Sequence, residues 1–347
     1  MTGGSARAWR FSQHTTIGVG GEAEAIIAAD EAHIRREVAR STPDELLVLG
    51  GGSNLLVSDR PYQGRVLCIR TQGVEVLESD GAHVRLRVAA GEPLDSVVAY
   101  TVSQGWGGLE ALSGIPGRMG ATPVQNVGAY GHEISEVLRS VSDVSYGTGC
   151  PTVRLPGDLG FGYRMSAYKR DLQAVVLSVD LELTTDGLSA PIRFGPLTEA
   201  LGVAGGARVP VEEVRREVLR LRRSKGMVYD PADPDTHSCG SFFVNPIVPE
   251  ATSVPEDAPR WRLSDGRMKL SAAWLIDHAG IHRGFRLPGS RAGVSTRHTL
   301  ALTNRGGAGA DEIVALASHI REQVQRAFGV LLVPEPRFVG LALDEPR

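Results

Sequence analysis

Residues 105–131 carry glycine at positions 105, 107, 108, 114, 117, 120, 128 and 131, and the stretch has neither a helical nor a strand period. An irregular segment this long inside a compact domain is usually functional. Trp106, Leu109, Leu112, Ile115 and Val124 make it too apolar to stay disordered. Small uncharged residues let backbone close tightly, so the stretch is expected to wrap a large flat ligand. The rest of the chain must then be a scaffold that holds this loop.

At 347 residues the chain has room for about two domains with cores of their own. Hydrophobic residues are 42% and charged residues 22% of the sequence, and no apolar run approaches the ~20 residues of a membrane span. The chain reads as soluble, with no membrane partner. A formal charge of −3 gives no basic field for nucleic acid. Lysine occurs only at 169, 225 and 269 among 37 Lys and Arg residues, a bias that reads as codon usage. Cys68, Cys150 and Cys239 match no zinc or redox spacing, residues 1–11 hold no apolar signal core, and no metal is expected. A reducing cytoplasm fits.

Along the chain, Gly18-Val19-Gly20-Gly21-Glu22-Ala23 has the spacing of a dinucleotide fingerprint, but a short apolar run rather than a helix follows it. It reads as a turn, with Asp30 capping a later helix through Val38. Residues 45–49 and 55–57 read as strands around Gly50-Gly51-Gly52-Ser53-Asn54. Three bare glycines offer backbone N–H groups to an anion; a tight connection is the other reading. Strands are expected at 66–69, 74–77, 84–88, 137–146 and 173–184, and a helix from Pro93 to Gly105. Residues 191–210 read as a linker, followed by helices at 211–224, 270–278 and 310–328.

Five motifs then occur in order. They are Leu49-Gly50-Gly51-Gly52-Ser53-Asn54-Leu55-Leu56; Gly114-Ile115-Pro116-Gly117 with 123–131; Tyr163-Arg164-x-Ser166; Gly240-Ser241-Phe242-Phe243-Val244-Asn245-Pro246; and Pro334-Glu335-Pro336-Arg337-Phe338. Over residues 10–341 the chain resembles the UDP-N-acetylenolpyruvoylglucosamine reductase (UDP-N-acetylmuramate dehydrogenase) family. The resemblance implies a mixed α/β and α+β fold. It comprises an FAD-binding domain of the p-cresol methylhydroxylase type, with subdomains at 1–60 and 61–205, and a C-terminal α+β substrate domain at 206–341. It implies non-covalent FAD, NADPH as hydride donor and UDP-N-acetylglucosamine enolpyruvate as substrate. The product is UDP-N-acetylmuramate, a peptidoglycan precursor on which wall growth, cell shape and division depend. A cytoplasmic monomer is expected.

The same resemblance implies site residues. Gly50, Gly51, Gly52, Ser53 and Asn54 are expected at the cofactor, with Gly114, Ile115, Pro116, Gly117, Gly120, Gln125, Asn126, Gly128, Ala129 and Tyr130 of the glycine stretch. Reduction of an alkene conjugated to a carboxylate builds charge on that carboxylate, so preorganised donors are needed there. Arg164 matches the family's arginine for this task and Glu335 its acid; an acid set between prolines beside an apolar strand is expected to have a raised pKa and to donate a hydrogen bond. Ser241 matches the proton donor, while Tyr163, Lys225, Asn245 and His298 match substrate contacts. Phe194 stands where some members carry a tyrosine, and residues 229–237 form a long acidic connection. Two other readings stay open: a flavin-dependent sugar or alcohol oxidase of the same fold, and a nucleotide-sugar binding protein without catalysis.

Overall fold

The computed structural model describes residues 9–343, so the reading of residues 1–8 as free of a signal core lies outside the described residues. The chain divides into two compact units, each assembled from separated segments: 1–23, 52–63 and 224–347 in one, 24–51 and 64–223 in the other. The linear blocks 1–60, 61–205 and 206–341 are thus interleaved in space. Helix Val211–Ser224 belongs with the segments before it, because Val214 and Val218 pack against Ile192 and Leu197.

The unit built from 24–51 and 64–223 holds two larger sheets and a two-stranded one, Gly128–Ala129 with His132–Glu133. Strands Glu24–Ala28, Arg65–Ile69 and Leu46–Leu49 form a parallel sheet with Arg65–Ile69 at its centre. Helix Glu31–Ala39 follows the first of them, and Asp30 caps it by accepting from the His33 N–H at 2.7 Å, as the sequence predicts. Strands Pro151–Arg154, Leu138–Ser145, Ala174–Thr184, His83–Ala89 and Val74–Ser79 form an antiparallel sheet in that spatial order. Ala28, Ile34 and Leu67 share one core with Val84, Leu86, Val141 and Leu181. The glycine stretch joins this core through Leu109 and Leu112, at 0% and 1% exposure, so its apolar residues anchor the loop.

Residues 191–210 are not the linker that their Gly and Pro content suggested. Gly195–Leu201 is a helix, with proline in its first turn and Gly202 as a left-handed cap. Those residues are helix punctuation.

The other unit pairs Ser238–Ser241, Ala301–Asn304 and Ala292–Val294 in an antiparallel sheet, with Ala301–Asn304 central. Helix Ala310–Phe328 buries Ile313, Leu316, Ala317, Ile320 and Val324 in the same core as Phe242 and Leu302. Asp59 ties two parts of the unit together: Oδ1 accepts from the Gly20 N–H at 2.9 Å and Oδ2 from the Ala310 N–H, at the start of that helix, at 2.6 Å. Strand Leu55–Val57 runs parallel to Arg337–Val339.

Candidate active site

Gly50 and Gly51 leave the C-terminal end of strand Leu46–Leu49, where parallel sheets commonly place ligands. A Cβ on Gly51 would lie 2.6 Å from the Gly117 Cα, so the two glycine loops approach to a distance that no side chain allows. A Cβ on Gly120 would be similarly tight, 2.6 Å from the Ala90 Cβ. Asp95 fixes the first part of the longer loop, accepting from the Gly114 N–H at 2.7 Å while Arg215 grips the same carboxylate at 2.6 and 3.1 Å. Held this way, the loops present backbone rather than side chains, which suits a dinucleotide with a diphosphate.

Asn126 is the keystone of the loop's second half. It is 1% exposed with φ +47°. Its Nδ2 donates to Glu133 at 2.6 Å and to the Gly162 carbonyl at 3.2 Å, while its Oδ1 accepts from the Ser135 N–H at 3.2 Å. Its side chain is therefore committed to framework, a role the sequence alone does not reveal. Tyr130, also at positive φ, packs edge-on against Phe194 at 5.6 Å, and burial pushes its hydroxyl pKa up. His132 is buried between Glu136 and the Pro191 carbonyl, each at 3.0 Å.

Gly162 and Met165 exchange backbone hydrogen bonds of 3.0 and 3.1 Å, leaving Tyr163 and Arg164 at the tip of a two-residue turn. Arg164 has φ +54°, its Nη2 donates to the Gly128 carbonyl at 2.7 Å, and its guanidinium lies 5.3 Å from the centre of the Tyr163 ring. Ser166 donates to the Val124 carbonyl at 2.5 Å. Thus Tyr163, Arg164, Asn126 and Gly128, separate in sequence, meet within one unit.

In the other unit a second group assembles. Ser241 ends its strand opposite Ala301. The chain then pairs with the C-terminal motif: Phe243 bridges Pro334, and the Glu335 N–H donates to the Phe242 carbonyl at 2.9 Å. Asn54 joins them, its Nδ2 reaching the Glu335 carbonyl at 3.4 Å while its own carbonyl accepts from the Arg337 N–H at 3.1 Å. Ser241, Glu335 and Asn54 come from three motifs and lie on adjoining segments. Asn245 is partly committed, since its Oδ1 accepts from the Ala272 N–H at 3.0 Å and starts helix Ala272–His278. Its amide N–H groups are the part suited to a nucleotide. The Cys239 thiol donates to the Leu55 carbonyl at 3.4 Å, and burial raises its pKa to about 12, which keeps it an unreactive thiol.

His298 is held neutral. Burial lowers its pKa from the ordinary 6.5 to about 4, and the charges of Lys225 and Arg283 add to the effect. As pH falls from 6.5 to 4, the unfolded chain takes up a proton that folded His298 refuses. Stability therefore declines through that window, by up to about 3 kcal/mol from this group, and is unaffected by it above the window. Melting temperature plotted against pH should have a shallower acid limb in His298→Gln than in the parent protein; parallel limbs would contradict the assignment.

The bare loops are the test of fit for the cofactor. Gly51→Ala should force Gly117 away, cost roughly 1–3 kcal/mol of stability and lose at least about tenfold in flavin affinity. Gly50→Ala is the comparison, since its Cβ meets nothing nearer than 3.8 Å. Flavin-to-protein absorbance ratios and melting curves of the two variants check this, and equal retention would contradict it.

A family model described as FAD binding domain matches residues 25–149, within which the two glycine loops meet. The fold and site define an FAD-binding flavoprotein. A second model, described as UDP-N-acetylenolpyruvoylglucosamine reductase, C-terminal domain, matches residues 231–339. The UDP-N-acetylenolpyruvoylglucosamine reductase of Leifsonia xyli is 50% identical, covering 96% of this chain and 98% of its own. The enzyme of that name from Saccharopolyspora erythraea is 48% identical, covering 99% and 96%. The crystal structure of UDP-N-acetylenolpyruvylglucosamine reductase from Thermus caldophilus matches with a TM-score of 0.67 at 27% identity, over 96% of this chain and 99% of that one. The chain belongs to the UDP-N-acetylenolpyruvoylglucosamine reductase family, as its five motifs implied.

Proposed function

We propose that the protein catalyses the NADPH-dependent reduction of UDP-N-acetylglucosamine enolpyruvate to UDP-N-acetylmuramate. Family membership supports the reading, and the observation that carries it to the residues is the 2.9 Å hydrogen bond from the Glu335 N–H to the carbonyl of Phe242, the residue after Ser241 in the chain. Bound FAD supplies the hydride relay, from NADPH to the vinylic carbon of the enolpyruvyl ether.

The chain's own residues handle charge and protons. Arg164 offers a permanently charged fork to the substrate carboxylate as that group gains enolate character. Glu335 donates a hydrogen bond to the same developing charge in its protonated form. Ser241 Oγ gives its proton to the carbon next to the carboxylate; a hydroxyl suffices because that carbon is far more basic. Lys225 faces the diphosphate, while Asn245, Tyr163 and neutral His298 contact the nucleotide sugar. Among the described residues no helix is long and apolar enough to cross a membrane. The proposed setting is the cytoplasm, where the protein acts as a monomer without nucleic acid or membrane and supports wall synthesis, cell shape and division.

Acid precipitation of the purified protein tests the cofactor half of this reading: free yellow flavin is expected in the supernatant. NADPH consumption that depends on the enolpyruvyl nucleotide tests the other half. Consumption indifferent to that substrate would overturn the proposal.

A further inference from the structure

Many arginines in this protein meet carboxylates. Arg87 pairs with Asp180 at 2.9 Å, Arg154 with Asp143 at 2.5 Å and Arg215 with Asp95 at 2.6 Å. Arg70 and Arg118 depart from that pattern. Arg70 sits just past the C-terminal end of strand Arg65–Ile69, and its Nη1 donates to the carbonyls of Gly50 at 3.0 Å and Ile69 at 2.8 Å. Arg118 lies in the glycine stretch next to Gly117; its Cβ is 3.8 Å from where a Cβ on Gly50 would be, and its Nη1 donates to the Gly91 carbonyl. The Arg118 Nε is buried without a hydrogen-bond partner among the described residues.

The Arg70 guanidinium therefore holds the Gly50 carbonyl, while Arg118 leaves the chain beside Gly50 and carries its guanidinium to the Gly91 carbonyl, close enough to Arg70 for the two charges to oppose each other. Among the described residues, the guanidiniums of the pair donate to the backbone carbonyls of Gly50, Ile69 and Gly91. Glu92 acts on Arg118 only at longer range, and its Oε1 is already accepting from the Gly73 N–H at 2.7 Å. Each guanidinium also opposes the charge of the other, and burial lowers the Arg118 pKa. Two partly desolvated cations side by side, hydrogen-bonded to carbonyl dipoles and with the Glu92 carboxylate only at longer range, are unfavourable unless an anion completes the set.

We propose that Arg118, with Arg70 behind the Gly50 turn, supplies the fixed positive charge that holds the diphosphate of FAD. This rests on the flavoprotein reading and assigns the residues of the phosphate subsite within it. Backbone N–H groups of the glycine loops orient the phosphates, and the paired guanidiniums provide the charge that N–H groups alone lack. Arg118 is poorly visible in the sequence because it is one arginine among many, inside a motif whose glycines take the attention.

Titration of full-length, deflavinated protein with FAD and with riboflavin, followed by flavin fluorescence, tests the proposal. R118M should weaken FAD roughly ten- to hundredfold and leave riboflavin, which carries no phosphate, nearly unchanged; R118K should recover most of the loss. In the parent protein, added salt should weaken FAD more than riboflavin. That comparison decides the matter alone if R118M does not fold, and equal salt sensitivity would overturn the proposal. Equal weakening of both flavins in R118M would make Arg118 a packing residue. Unchanged FAD affinity with a raised KM for NADPH or for the enolpyruvyl nucleotide would assign the cations to another phosphate; either result overturns the inference. A purified protein devoid of flavin would instead defeat the flavoprotein reading itself.

Discussion

Ser241→Ala should slow reoxidation of the reduced protein by the enolpyruvyl nucleotide by roughly 10²- to 10⁴-fold, the usual size of a lost proton-transfer group. Reduction by NADPH should proceed as before. The substitution removes one oxygen from a strand whose position is set elsewhere: Phe242 and Phe243 are buried to 0% and 1% exposure, and the Phe242 N–H donates to the Leu300 carbonyl at 2.8 Å. Backbone placement of Glu335 depends on the Phe242 carbonyl and not on the serine side chain. Rapid-mixing measurement of the two half-reactions separates the outcomes. Equal slowing of both would mean that Ser241 supports packing and passes no proton.

Arg164→Met should cost roughly 10²- to 10³-fold in the same substrate-dependent half-reaction, the loss typical of a single preorganised donor at a developing oxyanion. Arg164→Lys should fall between, since it keeps charge but gives up the planar fork. The backbone at Arg164 is left-handed, a conformation that costs a non-glycine residue about 1 kcal/mol or more and persists only where surroundings enforce it. Here they do: Asn126 holds the Gly162 carbonyl and Lys169 Nζ reaches the Arg164 carbonyl at 3.2 Å. Methionine inherits that backbone without new strain relief, so the rate loss reports the guanidinium. A drop in flavin content and melting temperature with an unchanged rate per bound flavin would make Arg164 only an anchor for the Gly128 carbonyl.

Much of the fold was legible because its signals are local. Asp30 reads as a cap from its place before a helical period, and it caps helix Glu31–Ala39; the Gly50-Gly51-Gly52 turn reads as bare backbone, and at Gly51 that bareness is what lets Gly117 pack against it. Residues 191–210 misled because proline and glycine punctuate short helices as well as linkers, and nothing local reveals that Ile192 and Leu197 pack on a helix twenty residues later. The buried cluster in which Asp143 accepts from Arg154 at 2.5 Å and Tyr168 at 2.6 Å had no sequence signal at all. It depends on strand register and on a loop return, and it raises the Tyr168 pKa, chiefly by burial, so the hydroxyl stays a donor. Asn126 is the same lesson inside a motif, since its hydrogen bonds to Glu133 and Gly162 exist only once the turn carrying Arg164 has folded back.

The most direct test of the central claim is anaerobic: the protein is reduced with one equivalent of NADPH, mixed with UDP-N-acetylglucosamine enolpyruvate, and the flavin absorbance followed while the product is identified. Rapid return of the oxidised spectrum with formation of the lactyl ether is the expected result. A spectrum that returns only when air is admitted would contradict the account and point to an oxidase.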